Sequence, residues 1–583
     1  MEVVVGIDFG SSGSGFAYAY KDNEEEIIYG SIYGANVNNK VPTEIILKDN
    51  DETLKFGAEC QQYMREAGSK KENWHYFKEI KMNLYQKNIS IKAKNSDKEL
   101  PLNLVIQRVL EKLKFLAFKA IQENRPKITL SNIKWVVTVP AIWQEFEKNI
   151  MMKASIDAGL ITEDENKSLF FALEPEAASC YCSKNKSIDQ NLLKQGSCYI
   201  ICDLGGGTGD IVAHLIGENH CLKELCPASG GDYGSNLINK RLFEDIIYKI
   251  FGCNDFNTFY KKYQQLNENE EDEESKFDEW CELERQIKDL KEGTNIEKVN
   301  KNLKYPINCS IFKDIFNEDI DIMKLIENYN SKVNNELELE IKSPKKNPKK
   351  WMIYFPYKII YNYIKKQANS ICKIIEKMLH SSDEHINSII LVGGYCSNEI
   401  MISEIKQRLE GQISHFLVPS EPCLSIMKGA VIFGLNPNLI AQRKAQYTIG
   451  TNVSEEWNEE LHSNKGKKYY NKEDDTWTCD NCFSSFITKN QNLSVGQEII
   501  KIYDMFAPRF CKIKFYKSDK TNPILVDEEG VKEIGQCRLD AGKDYPESER
   551  SISITMIIGG TFIDVKAKHK ISGNYIKAKL DFN

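Results

Sequence analysis

The 583-residue chain lacks most of the marks of secreted, membrane and metal-hydrolase proteins. Only three valines separate Met1-Glu2 from Gly6, so neither the basic start nor the longer apolar stretch of a secretory leader is present. No run of about 18 apolar residues occurs, which predicts no membrane-spanning helix. Histidine is scarce, at 8 residues, and HExxH is absent, so metallohydrolase chemistry has no support. There is no basic excess. Lys and Arg total 77 against 84 Asp and Glu, a net charge of −7, which disfavours broad nucleic-acid binding. The 17 cysteines are odd in number and scattered. Without a leader they read as reduced thiols of a cytoplasmic protein. GxxxxGK[ST] is missing, which excludes a P-loop ATPase. No GxGxxG opens a helix with an acidic partner about 20 residues on, which disfavours a dinucleotide fold.

What is present begins with enough apolar residues, 41%, for sizeable cores, in a chain long enough for three or four domains. Val3 to Asp8 reads as a buried strand, Phe9 to Gly15 as a glycine turn, and Phe16 to Tyr20 as the returning strand. Spacings of three and four predict a helix over 100–123, followed by a strand from Lys134 to Val139 that Pro140 stops. A helix from Glu145 to about Ala158 and a strand from Leu169 to Leu173 follow. The opening pattern then repeats, with a strand from Cys198 to Asp203, a glycine turn, and a returning strand from Asp210 to Ile216. This predicts an internal duplication. Helices are expected over 277–291 and Lys358–Leu379, the second feeding a strand over Ser388–Val392. The acidic run 267–274 and the Lys/Pro-rich stretch 343–350 read as solvated loops.

After Gly434 the character changes. Short β-patterned runs at 447–453, 484–488, 498–503, 511–515, 535–539, 551–558, 562–567 and 575–580 predict a β-sandwich-like module. The expected division is lobe I over 1–194, lobe II over 195–435, a linker over 436–446 and a β-rich module over 447–583.

The chemistry sits in the glycine turns. A polyphosphate needs many backbone N–H donors and no obstructing side chains, and glycine supplies both. Asp8 and Asp203 end strands, where carboxylates can hold Mg²⁺ directly or through water. A single turn of this kind is an ordinary hairpin signal; two, each pinned to a strand-terminal Asp, point to a phosphate grip. Gly393-Gly394 after a buried strand is either a β-to-helix turn or a close approach to a flat ligand.

Gly6-Ile-Asp-Phe-Gly-Ser-Ser12, Val137-Thr-Val-Pro-Ala-Ile-Trp143, Leu173-Glu-Pro-Glu-Ala-Ala178, Asp203-Leu-Gly-Gly-Gly-Thr-Gly-Asp210 and Leu391-Val-Gly-Gly394, in this order, resemble the nucleotide-binding domain of the 70-kilodalton heat-shock chaperones. Trp135 to Trp143, Glu174 to Ser179, and Leu222-Lys-Glu-Leu225 with Ala228 to Gly234 look most like that family's divergent member-twelve branch. The resemblance implies an α/β fold: a duplicated actin-like (ribonuclease H-like) ATPase domain with a C-terminal β-sandwich-like module.

It also implies roles for individual residues, and ATP or ADP with Mg²⁺ as cofactors. Asp8 and Asp203 would organise Mg²⁺ and its waters. Gly10, Ser11, Ser12, Gly205, Gly206, Gly207 and Thr208 would hold the phosphates. Lys81, rather than Lys78, would position the attacking water. Glu174 would lie near the metal and the water, and Pro140 would relay nucleotide state. Gly230 and Gly231 would approach the ribose and Gly393 and Gly394 the adenosine, with Glu284 and Lys288 facing the nucleoside from a helix. The implied function is an Mg-dependent ATPase of chaperone type, whose domain motion is coupled to protein or peptide clients. The alternative is a nucleotide-gated interaction or signalling protein without turnover. A small-molecule kinase of the same fold would need an acceptor site with a catalytic Asp, and the β-rich C-terminus fits it poorly.

The departures from the family are specific. Tyr395-Cys-Ser-Asn-Glu399 stands where an arginine usually packs on the base. Leu439-Ile-Ala-Gln-Arg-Lys444 is more polar than the usual interdomain linker, and no helical lid is expected before Asn583. Cys479-Asp-Asn-Cys482 is a lone CxxC without a second pair at finger-like spacing, and reads as structural or incidental.

Overall fold

The computed structural model describes residues 1–30, 32, 40–67, 73–160, 169–250, 253, 273–308, 322–342, 352–462, 466–471, 475–559 and 563–579. Of the loop expected at 267–274, residues 267–272 lie outside them, as does the loop expected at 343–350, while Glu273 and Glu274 belong to a helix instead.

Strand β1 (Val3–Asp8) is buried at every position, as its unbroken apolar run requires of a strand covered on both faces. It hairpins into β2 (Gly13–Tyr20), and β3 (Asn23–Tyr29) continues antiparallel. On its other side β1 pairs in parallel with β4 (Ile133–Val139), which pairs in parallel with β5 (Leu169–Leu173), giving the order β5-β4-β1-β2-β3. A second sheet has the same plan. The hairpin β6 (Cys198–Leu204) and β7 (Gly209–Ile216) extends antiparallel to β8 (Leu222–Gly231) and parallel to β9 (Ser388–Val392) and β10 (His415–Leu417), in the order β10-β9-β6-β7-β8.

Two short helices, Glu174–Cys182 and Ser425–Leu435, share one apolar core with both sheets. Val4 and Val136 from the first and Ile201 and Val392 from the second surround Ala177, Met427 and Ala430. The approach is close enough to need glycine: a Cβ at Gly6 would stand 2.9 Å from the Ala430 Cβ. The outer face of the first sheet packs under Leu102–Asn124, which buries Leu102, Val105, Val109 and Leu113 at helical spacing. The outer face of the second packs under Tyr357–Ser381. The helix expected over 277–291 spans Glu273–Glu292. This plan brings the carboxyl ends of β1, β4 and β5 and those of β6 and β9 to one region, the usual ligand position in α/β sheets.

The C-terminal region forms a five-stranded sheet, in the order Lys468–Asn471, Thr476–Ile487, Thr448–Glu456, Phe510–Ser518, Val531–Asp540. A four-stranded sheet runs Glu498–Asp504, Ser551–Ile558, Ile563–His569, Tyr575–Lys579. Ile449, Phe486 and Phe515 from one meet Ile554, Met556 and Val565 from the other in a common core. Ser551–Ile558 alternates buried and half-buried residues with strict period two. Lys468–Asn471 and the first half of Thr476–Ile487 were not expected as strands, because their polar Thr, Asp and Asn residues hide the alternation.

The stretch 436–446, expected as a linker, holds a strand instead. Ile440–Lys444 pairs in parallel with β8 and antiparallel with Asn492–Ser494, extending the second sheet to seven strands. Its polar composition concealed this because the pairing is carried by backbone and the half-buried Arg443 sits against a buried carboxylate. Arg443 forks onto both Glu176 oxygens at 2.6 Å, and the Lys444 N–H donates to Glu224 Oε2 at 2.8 Å.

Candidate functional site

Strand register places the acids. Asp8 ends β1, and Asp203 lies directly opposite Asp210 across the β6–β7 hairpin. β5 ends at Leu173, so Glu174 opens the next helix, with Pro175 favouring its first turn. All four carboxyl side chains are buried, at 2% exposure for Asp8, 4% for Glu174, 3% for Asp203 and 1% for Asp210. Like charges this close, away from water, resist ionising together. Burial first, then Glu174, Asp210 and Asp8, push the Asp203 carboxyl well above the carboxylate range. Burial also raises Asp210, against the hydrogen bonds that the Ile142 N–H and Thr208 give it. Glu174 is pushed up to about 7 by burial, with Lys81 opposing.

Two cations enter the cluster. Lys81, in the helix Ile80–Tyr85, donates to Glu174 Oε1 at 2.5 Å and lies over the Trp143 ring at 5.5 Å. Lys40 donates to Asp8 Oδ2 at 2.5 Å. Although burial works against its charge, Asp8 holds the Lys40 ammonium above its ordinary value. Lys78 pairs instead with Glu284, from the helix Glu273–Glu292. Asp203 Oδ1 and Asp210 Oδ2 are buried without a hydrogen-bond partner.

The glycine turns face each other around these acids. The Gly205 N–H donates to Thr208 O at 3.0 Å and closes the second turn. Ser235 and Asn236 N–H groups donate to Gly205 O and Gly206 O at 3.1 and 2.8 Å, tying that turn to the following helix. The first turn is held from Thr43, whose hydroxyl donates to Gly10 O at 2.6 Å. A Cβ on Gly206 would strike the Ser12 side chain, and one on Gly207 would strike Ser11, so these positions accept only glycine at this spacing. Asn236 Nδ2 donates to Ser12 Oγ at 3.0 Å across the gap. Gly393 has φ 89°, and a Cβ there would sit 2.5 Å from Asp203 Oδ1. Gly230 pairs with Asp210, and Gly231 with Gly209. Pro140 is buried after β4, beside the Ala141–Ile142 turn that reaches Asp210.

The structure therefore brings Asp8, Ser11, Ser12, Lys81, Glu174, Asp203, Thr208 and Gly393 together. Lys288 is not among them: it is 60% exposed and pairs with Glu292 at 3.8 Å. Lys291 of that helix is buried, directed at Ser235 O at 3.4 Å and pushed down to about 8 by burial. Sequence reasoning also missed Lys40, Thr43 and Asp210 as members of the site. For Asp210 a signal existed, since hairpin register puts it opposite Asp203. Lys40 and Thr43 arrive from a distant segment and leave no local mark.

No protein-family model matches the chain. Heat shock 70 kDa protein 12A of Homo sapiens is 26% identical to it, an alignment covering 100% of this chain and 91% of the relative. The Mus musculus protein of that name is likewise 26% identical over the same shares. Heat shock 70 kDa protein 12B of Homo sapiens is 24% identical, again covering 100% and 91%. Along its whole length the chain is thus similar to the divergent member-twelve branch of the 70-kilodalton heat-shock family.

Proposed function

We propose that the chain binds ATP and ADP with Mg²⁺ between its two glycine hairpins and hydrolyses ATP, in the manner of a chaperone that couples nucleotide state to the binding of protein or peptide clients. The observation that carries this reading is the buried four-carboxylate cluster with two unpartnered oxygens, on Asp203 and Asp210. Such a cluster is costly unless a cation neutralises it. The donor set is all oxygen, which fits Mg²⁺ held by Asp8 and Asp203. Bound Mg²⁺ supplies charge neutralisation for the phosphates.

The chain's own residues supply the rest. Backbone N–H groups of residues 10–12 and 206–208, with the hydroxyls of Ser11, Ser12 and Thr208, grip the phosphates. Lys81 fixes Glu174, and Glu174, with its proton affinity near neutrality, is placed to accept a proton from a water held against the cluster. The matching strand orders of the two sheets, each with its glycine hairpin, support a duplicated actin-like domain of ribonuclease H-like plan. The paired C-terminal sheets support a chaperone-like β module, and a cytoplasmic setting fits the reduced thiols.

One observation favours the non-hydrolysing alternative. Tyr395, just past the adenosine glycines, is buried and donates to Gln367 Oε1 at 2.7 Å, so it does not offer a cation to a base. Single-turnover hydrolysis separates the readings. The wild type should turn over ATP with Mg²⁺, and Asp203→Asn should lower the rate by about 100-fold or more. Binding of ATP without turnover above that variant would leave the gated reading; no binding at all would remove both.

A further inference from the structure

In a regular strand, residues three apart point to opposite faces. Cys479 and Cys482 do not, because the pairing of Thr476–Ile487 with Thr448–Glu456 is bulged between them. Val453 stands opposite Cys482 and Glu455 opposite Cys479, so two steps on one strand meet three on the other. A bulge of this kind re-aims side chains. Asn481 pins it. Its side-chain oxygen accepts from the Lys467 N–H at 2.8 Å and from Cys479 Sγ at 3.1 Å, and its amide donates to Asp527 Oδ1 at 2.6 Å.

A third side chain joins from outside the strand. Asn458 Oδ1 accepts from the backbone N–H groups of Glu460 and Leu461 and starts the one-turn helix Glu459–His462. That turn directs His462 inward beside Trp457, with ring centroids 5.5 Å apart. His462, Cys479 and Cys482 are all buried, and their ligand atoms lie within 4.8 Å of one another. His462 Nε2 is 3.6 Å from Cys482 Sγ. Around them stand Leu525, Val453 and Trp457. His462 stands outside the CxxC pair in sequence, before the start of the strand that carries it; the fold removes that separation.

We propose that His462, Cys479 and Cys482 form a zinc site, remote from the glycine hairpins and independent of the nucleotide reading. Two sulfurs and an imidazole are the donors that zinc prefers, and they fill three of its four tetrahedral positions, leaving the fourth to water. The protons balance. Each thiol releases one to solvent on loading. The Asn458 N–H donates to His462 Nδ1 at 3.0 Å, so the neutral metal-free ring carries its proton on Nε2. Loading moves that proton to Nδ1 and separates it from the Asn458 N–H. The ion then ties the Glu459–His462 turn to the bulged strand, on this side of the five-stranded sheet, and keeps one coordination position open.

The test uses the full-length chain, reduced and freed of metal, titrated with Co²⁺ as the spectroscopic substitute for zinc. One equivalent should give a sulfur-to-cobalt charge-transfer band that Zn²⁺ displaces. Cys479→Ser and Cys482→Ser should each lose the band, and His462→Gln should weaken binding at least about tenfold. Cys511→Ser, in the same region, should leave it unchanged. Should the variants unfold, the wild type decides alone: a zinc chelator should lower its Tm, and Zn²⁺ should restore it. Absence of the band in reduced wild type, a band equally strong in Cys479→Ser and Cys482→Ser, or a Tm indifferent to chelator and zinc would each overturn the proposal.

Discussion

Two glutamates hold protons near neutrality for related reasons. Burial pushes both Glu174 and Glu224 from an ordinary 4.5 up to about 7. Lys81 opposes the shift at Glu174, and the Lys444 N–H opposes it at Glu224. In each case the folded chain holds the proton more tightly than the unfolded chain. The stabilisation is therefore complete below pH 4.5 and is lost as pH rises through about 7. Thermal unfolding across that window should show a falling Tm, and Glu174→Gln and Glu224→Gln should each flatten the fall. Adding Mg²⁺ with ATP should flatten it in Glu224→Gln but add little in Glu174→Gln. Slopes identical to wild type in both variants would mean that these carboxyls titrate normally. At the residue scale the positions of Asp8, Asp203 and the glycines that follow each were legible in the sequence, because strand ends and hairpin turns are set by neighbouring residues.

At the scale of elements, an ion pair among the described residues joins segments that flank the glycine hairpins. Lys78, just before the helix Ile80–Tyr85, meets Glu284 of the helix Glu273–Glu292. The two side chains are 17% and 32% exposed, so their attraction is partly screened and is worth about 1 kcal/mol. If the helix must swing away to release nucleotide, Lys78→Ala should speed dissociation roughly fivefold and leave the hydrolysis step alone. Stopped-flow displacement of a fluorescent ADP measures this, and an unchanged off-rate would show that the pair does not gate release. The family resemblance implied that Glu284 and Lys288 would face a nucleoside from one helix, but sequence could not choose among the faces of that helix. Lys288 and Lys291 differ by three positions, yet one is exposed and the other buried, because only packing beneath Ser235 fixes the rotation.

Across the whole molecule, the decisive element is Ile440–Lys444. It is hydrogen-bonded on one side to β8 and on the other to Asn492–Ser494, so it sews the C-terminal sheets to the second sheet. Its anchor is the forked contact between Arg443 and Glu176, whose side chains are 14% and 4% exposed. Removing one partner strands a buried charge, so Arg443→Met should cost about 3–5 kcal/mol, and adding Glu176→Gln should recover much of it. Limited proteolysis near 440–446 should be slow in wild type, fast in Arg443→Met and slow again in the double variant. Fast cleavage in wild type would show that the strand is not docked in solution.

The sequence by itself determined the hairpins and their glycines, most of the alternating strands of the C-terminal region and the long helices, because each depends on period, steric room or turn chemistry within a few residues. Tertiary structure alone decided that Lys40 reaches Asp8, that Arg443 forks onto buried Glu176 and that His462 meets two cysteines. Those contacts join segments far apart in the chain, and their free energy comes from burial and from charge paired out of water. Neither quantity exists until the sheets have packed.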